Sequence, residues 1–331
     1  MRYSLCLLDN LITNLDSLWC FLNAGNLIQM RQVSREFQGH FAMLIFSALV
    51  AGSFSLGALV ANEISPLAIT AARFAIASIV IGISALLLGS VTSQSFSAPW
   101  RFLILGGLFS LYFVLMFEGL KTANPISASA VFTLTPVLSG VFGYILLRQV
   151  TTSRMVFALT IGAVGALWVI FKADLTALLQ FQIGRGEIIY FGGCAAHALY
   201  TPMILKLNRG ESAIVFTLGT LLAGCLILLI VGWNDIRATD WMSLPAVVWG
   251  TLLYISIFAS AATFLLLQIS SLRLPAAKVM AYTYLTPSWV ILWEFALGNS
   301  VPQTFVVVGV TITIVALGLL LKNSDKHVEP L

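Results

Sequence analysis

Charge is scarce in this sequence. Only 9% of its 331 residues are Asp, Glu, Lys or Arg, where a soluble domain carries roughly 25%. Apolar residues make up 59%, and mean hydropathy is +0.98. A globule of this size cannot hide that much apolar surface from water, so lipid must be part of the solvent. The net charge of +4 is small and scattered, which excludes a nucleic-acid surface. Cysteine is scarce too. Cys6, Cys20, Cys194 and Cys225 form no C-x-x-C pair, and the last two lie in apolar runs. That argues against a disulfide framework or a structural zinc site. No glycine is followed by lysine, so there is no phosphate loop of the G-x-x-x-x-G-K-[ST] kind. H-E-x-x-H and G-x-S-x-G are absent as well. The sequence offers no metal site, cofactor site or protein nucleophile, and reads as a non-enzyme.

What it does have is long apolar runs. A spanning helix needs about 20 mostly apolar residues. Such runs occur at Phe41–Ala61, Pro66–Leu88, Phe102–Gly119, Ile126–Leu147, Ser153–Phe171, Ile188–Leu205, Ser212–Trp233, Val247–Gln268, Ala276–Leu297 and Gln303–Leu321. The short connections hold the helix breakers, among them Asn62 to Ser65, Lys121 to Pro125 and Asn208-Arg209-Gly210. The sequence therefore predicts an all-α integral membrane protein with ten transmembrane helices.

The basic residues test that count. With the N-terminus inside, twelve of them fall on inner segments, and only Lys121, Lys172, Arg185 and Arg237 on outer loops. Arg73 is left within the second span. This asymmetry is the one expected for both termini on the cytoplasmic side, and an odd span count would spoil it. Residues 1–39 are a leader with no span and a poor match to a signal peptide. It reads as disordered or surface-lying, and Met30 is an alternative start. Residues 323–331 read as a cytoplasmic tail.

The chain also repeats itself. Leu134-Thr135-Pro136 in the fourth span recurs as Leu285-Thr286-Pro287 in the ninth, at an offset of 151 residues. The same shift carries the end of the fifth span, Ile170, onto Leu321, the end of the tenth. The copies are residues 40–172 and 186–322. Five spans per copy is odd, so the second copy must enter the membrane from the opposite side. Two inverted five-helix repeats can hold inward-open and outward-open arrangements of similar energy, which is how carriers alternate access. Pro136 and Pro287 lie well inside their helices, where each removes a backbone hydrogen bond. The freed carbonyl must be satisfied again, and Thr135 and Thr286 are placed to help. Such breaks shape a midplane pathway or act as plain packing kinks.

These segments resemble the drug/metabolite transporter superfamily, specifically its EamA family. The resemblance is carried by Pro66–Ala77, Leu120–Leu147, Gly186–Lys206 and Ser271–Gly298, and covers roughly residues 40–322. It implies ten spans, a central cavity between the halves, and export or exchange of amino acids or other metabolites. One departure is clear. Where the family often carries a Gly-Glu pair, this chain reads Leu147-Arg148-Gln149 and Gly298-Asn299-Ser300.

A charge at the bilayer centre costs at least ~2.5–3.5 kcal/mol, so each polar group inside a span needs a partner or a role. Arg73 matches the arginine of the family's x-A-x-R-F stretch. It is either an anchor for a solute carboxylate or half of a structural ion pair, unless it snorkels. Glu118 is three residues from Lys121 and can pair with it at the interface, or couple to Arg73. His197 shares one helical face with Tyr190, Gly193 and Thr201, with Tyr200 beside it, and that face should look into the bundle. The histidine either binds solute or relays a proton, or is hydrogen-bonded to a neighbouring carbonyl. Tyr282, Thr286, Trp289 and Trp293 form a stripe in the ninth span, and Tyr112 is a further cavity candidate. Glu294, beside Trp293, is a candidate for ion coupling with Glu118.

Phosphate binding calls for Lys or Arg inside the cavity, and the sixth to eighth spans have none in their interiors. A neutral, zwitterionic or aromatic solute, such as an amino acid, fits better. The expectation is a secondary transporter in a bacterial inner membrane, with a small-molecule substrate and the lipid bilayer as partners. A channel or a polytopic membrane enzyme is the alternative. The oligomeric state is not readable.

Overall fold

The computed structural model describes residues 36–90, 98–150, 152–171, 174, 176, 183–299 and 304–321. The tail and most of the leader lie outside these residues. Among them there are helices and no strands.

Ten spans follow in chain order. They are α1 (Glu36–Val60), α2 (Pro66–Leu87), α3 (Trp100–Leu120), α4 (Pro125–Phe132 and Thr135–Leu147) and α5 (Ser153–Ile170), then α6 (Arg185–Leu207) and α7 (Ala213–Val231). Next, α8 runs from Ala246–Ser256 through a π turn, Ile257–Ala262, into Thr263–Ser271. Then α9 comprises Ala276–Ala281, a 3-10 turn at Tyr282–Leu285 and Thr286–Ala296, and α10 is Thr304–Leu321. A short helix, Trp233–Ala238, lies between α7 and α8. Nine helices of the described residues are long and apolar enough to cross a membrane. The tenth is α9, which its 3-10 turn divides. The last four residues of the leader, from Glu36, belong to α1.

Local chemistry sets the helix starts. Pro66 and Pro125 stand in the first turns of α2 and α4, where a missing N–H costs nothing. The Asn124 side chain accepts from the Ser127 N–H at 2.7 Å and caps α4. Between α4 and α5, Arg148 takes a left-handed conformation, φ 54°, which costs a non-glycine residue some strain. Next to it, Gln149 Oε1 accepts the Ala276 N–H at 3.1 Å. A neutral amide thus caps the start of α9.

The helices pair as α3 with α6, α5 with α10, α2 with α7 and α4 with α9. Lipid tails are as apolar as leucine, so these contacts depend on close packing rather than escape from water. At the α3–α6 contact, a Cβ added to Gly119 would sit 2.7 Å from Gly186 O. Leu86, Leu87, Ile230 and Phe305 are among the apolar side chains exposed on the outside, as a lipid-facing surface requires.

Both prolines stand at helix restarts, and each break is satisfied differently. Pro136 cannot donate to Phe132 O, and the Thr135 hydroxyl donates to that oxygen at 2.7 Å. In α9 the Thr286 backbone N–H donates to Thr283 O, the oxygen that Pro287 cannot reach, and the 3-10 turn results. The Thr286 hydroxyl is buried without a partner among the described residues. The two breaks touch: Thr135 Oγ1 and Thr283 Oγ1 are 3.2 Å apart.

Candidate functional site

Beside this crossing, α1, α3, α4 and α6 each turn an aromatic face inward. His197 of α6 lies at their centre. Its ring centroid is 4.5 Å from that of Tyr112 and 5.3 Å from that of Phe132, both nearly parallel to it. Phe109 lies at 5.1 Å and Phe46 at 6.4 Å. His197 is 1% exposed, and neither ring nitrogen has a partner among the described residues. Among the described residues, no neighbouring carbonyl accepts from it as a structural histidine would require. An unsatisfied buried polar group costs about 1–3 kcal/mol, and both nitrogens of this ring are in that position among the described residues.

The rest of the α6 stripe is organised around that ring. Tyr190 OH and Tyr112 OH are 3.2 Å apart. Tyr200 OH accepts from Gln268 Nε2 at 3.1 Å, and its ring is 4.2 Å from Phe109. A Cβ on Gly193 would meet Tyr112 O at 3.0 Å, so glycine there lets α3 and α6 approach.

Other candidates fall elsewhere. Tyr282 OH meets His40 Nδ1 at 3.1 Å, and Trp289 Nε1 donates to Ser47 Oγ at 3.2 Å. Both bond to α1. Trp293 packs edge-on against Tyr254. Glu118 accepts from Lys121 Nζ at 2.7 Å at the surface, not from Arg73. Glu294 is 8% exposed and accepts from Asn299 Nδ2 at 2.7 Å, with its other oxygen unpartnered among the described residues. Arg73 makes no ion pair with the described residues. It donates to Ser260 Oγ and to the carbonyls of Ala259 and Ile255 on α8.

Sequence reasoning missed the packing partners Phe46, Phe109 and Phe132. Phe109 stands three residues before Tyr112, a spacing that put it within reach of the same face. Arg101 was read as an inner-segment cation. It is fully buried, donating to Leu207 O at 2.6 Å and pairing with Glu211 at 2.5 Å. Burial works against the Glu211 charge, but Arg101 and the Arg209 N–H outweigh it and hold the carboxyl below its usual range.

The model of the EamA-like transporter family matches this chain twice, over residues 37–171 and 184–322. The chain belongs to that family. It is a multi-pass membrane transporter built from two inverted five-helix repeats. Two relatives from Bacillus subtilis (strain 168) are similar along most of their length. The uncharacterized transporter YyaM is 24% identical, over 84% of this chain and 92% of its own. The uncharacterized transporter YetK is 23% identical, over 86% and 88%. One solved crystal structure superposes with a TM-score of 0.66 at 20% identity, covering 88% of this chain and 98% of the other. It supports the fold of this EamA-like protein.

Proposed function

We propose that this EamA-like protein is a secondary carrier that exports or exchanges a small solute by alternating access. The solute is neutral, zwitterionic or aromatic, with an amino acid as the type. The reading rests on one observation. The broken helices of the two repeats cross beside a buried histidine whose nitrogens have no protein partner among the described residues and whose faces are covered by aromatic rings. Discontinuous helices at matching places in two inverted halves are where carriers hold their cargo. The polar groups of the site are few, and its aromatic faces can stack on a planar or apolar solute.

The charge asymmetry of the sequence supports N- and C-termini on the cytoplasmic side, and transporter relatives in Bacillus subtilis support placement in a bacterial plasma membrane. The test is counterflow in proteoliposomes, using labelled amino acids with aromatic, branched and small side chains. A carrier gives saturable uptake that is accelerated by unlabelled solute on the opposite side. Uptake that stays linear with concentration and shows no counterflow would sink the carrier reading.

A further inference from the structure

Arg73 of α2 is fully buried inside the span, and the protein satisfies only part of its guanidinium. Nε donates to Ser260 Oγ at 2.8 Å, while Nη2 donates to Ala259 O at 2.9 Å and Ile255 O at 3.3 Å. The Phe113 ring lies 3.7 Å from Cζ. The third nitrogen, Nη1, is buried and has no partner among the described residues, and no carboxylate of those residues pairs with this side chain. Its contacts are thus a hydroxyl, two carbonyls and an aromatic face, with no counter-charge among the described residues. The carbonyl dipoles and the Phe113 face offset part of the cost of burying this cation, and an intramembrane charge is by default a candidate functional site.

The π turn of α8 is a second observation at the same place. In a regular helix Ala259 O would accept the Thr263 N–H, but that N–H donates to Ser260 O. Ala259 O is thereby free for Arg73, and Ser260 Oγ faces the same guanidinium. Turns of this kind recur at functional sites. Here the turn fixes two of the three guanidinium nitrogens and leaves the third for another group. The guanidinium is close to the aromatic box, because Phe113, which lies against it, also packs on Tyr112 and Phe109, at 4.6 and 5.3 Å between centroids. Both of those rings touch His197.

We infer that Arg73, held by the π turn, is the anion-binding half of the solute site, and that the solute carries a carboxylate. This rests on the carrier reading of the aromatic box and narrows it to carboxylate-bearing solutes. A carboxylate supplies the missing negative charge and accepts a charge-assisted hydrogen bond from Nη1. A phosphate dianion fits less well, since one cation would face two charges.

The test is thermal unfolding of the full-length protein in detergent at constant ionic strength, with methanesulfonate as the background anion. It is titrated with acetate, benzoate and leucine, and in parallel with acetamide, benzamide, leucinamide and chloride. At least one carboxylate should raise Tm saturably by several degrees, with neither its amide nor chloride doing so. Arg73→Gln should abolish that shift, and Lys121→Gln should keep it. Should Arg73→Gln fail to fold, the wild type decides. The carboxylate should slow phenylglyoxal modification of Arg73 at least fivefold, read by mass spectrometry, and leave Arg273 unprotected.

No shift with any carboxylate, an equal shift with the amide or with chloride, or an intact shift in Arg73→Gln overturns the inference. So does a lack of protection at Arg73. Stabilisation needs no translocation. Arg73-dependent binding without counterflow would keep the site and remove the carrier, and counterflow without it would do the reverse.

Discussion

At the end of the bundle where α1 begins, the two repeats are joined by charge. Arg101 of the first repeat is fully buried and bonds to Leu207 O and Glu211 of the second. At the opposite end the ties between repeats run from hydroxyl to carboxylate. Ser65 donates to Asp235 at 2.7 Å, and Ser127 donates to Glu187 at 2.7 Å. Both ends are closed by hydrogen bonds of similar length, yet they are not equally easy to open. Separating the first pair strands a guanidinium and a carboxylate that burial makes expensive to leave alone. Separating the others strands one charge each instead of two, the buried Glu187 among them, and the hydroxyls lose little. A protein with inverted repeats would give equivalent ends if its sequence were symmetric. This one departs from that symmetry, and should rest with the Arg101 end shut.

The largest expected effect is therefore at Arg101. Arg101→Ala removes one partner of a buried pair, which costs about 3–5 kcal/mol. Unfolding in detergent should begin several degrees lower. Spin labels at Trp100→Cys and Arg209→Cys should report a wider distance distribution at that end, and labels at Glu63→Cys and Ala238→Cys an unchanged one. Arg101→Met combined with Glu211→Met should recover most of the Tm, because an apolar pair leaves no stranded charge. Equal widening at both ends would remove the asymmetry.

Acid should loosen the same end. The Glu211 carboxyl titrates below its ordinary value in the folded protein. A depressed pKa contributes stability that is complete above the unfolded value, about 4.3 for Glu, and is lost as pH falls through the folded value. The label distance at the Arg101 end should hold from pH 8 to about 5 and broaden only below the usual carboxylate range. Broadening near pH 6 would assign the effect to a different group.

How much of this was legible beforehand follows from where each signal resides. The breaks in α4 and α9 were readable because Pro136 and Pro287 act through their own backbone, and the rescue by Thr135 is a matter of one residue. The span limits were readable because lipid imposes a length, and the observed ends differ by a few residues. Arg101 was not readable as a buried group. It is the second residue of α3, and its bonds to Leu207 O and Glu211 come from the return of the chain between α6 and α7. The π turn left no mark either, since Ile257–Ala262 is as apolar and small as ordinary helix. The aromatic box needs four helices at once. The sequence placed His197 and Tyr112 on inward faces but had no means to say that Phe46 and Phe132 would meet them.

The hydroxyl end should respond less. Ser127→Ala leaves Glu187 without one hydrogen bond, worth about 1.5–3 kcal/mol for a bond to a charged group. Water can replace it whenever that end opens, so the loss should fall at the low end of that range. The distance between labels at Glu63→Cys and Ala238→Cys should broaden, with that at the Arg101 end unchanged. A Tm loss as large as that of Arg101→Ala would mean the hydroxyl ties are the stronger closure.

Lys121→Ala should do least, although it also breaks an ion pair at the hydroxyl end. Its partner Glu118 is 41% exposed and Lys121 is 32% exposed, and such pairs contribute between zero and about 1 kcal/mol. Neither label distance nor counterflow should change. His197→Ala is the informative contrast, because it touches neither end. It removes the ring on which Tyr112 and Phe132 stack, and counterflow should fall at least tenfold at equal membrane levels with both closures intact. If His197→Ala and Lys121→Ala transport equally well, the aromatic box is packing, and the solute passes by another route between the same two ends.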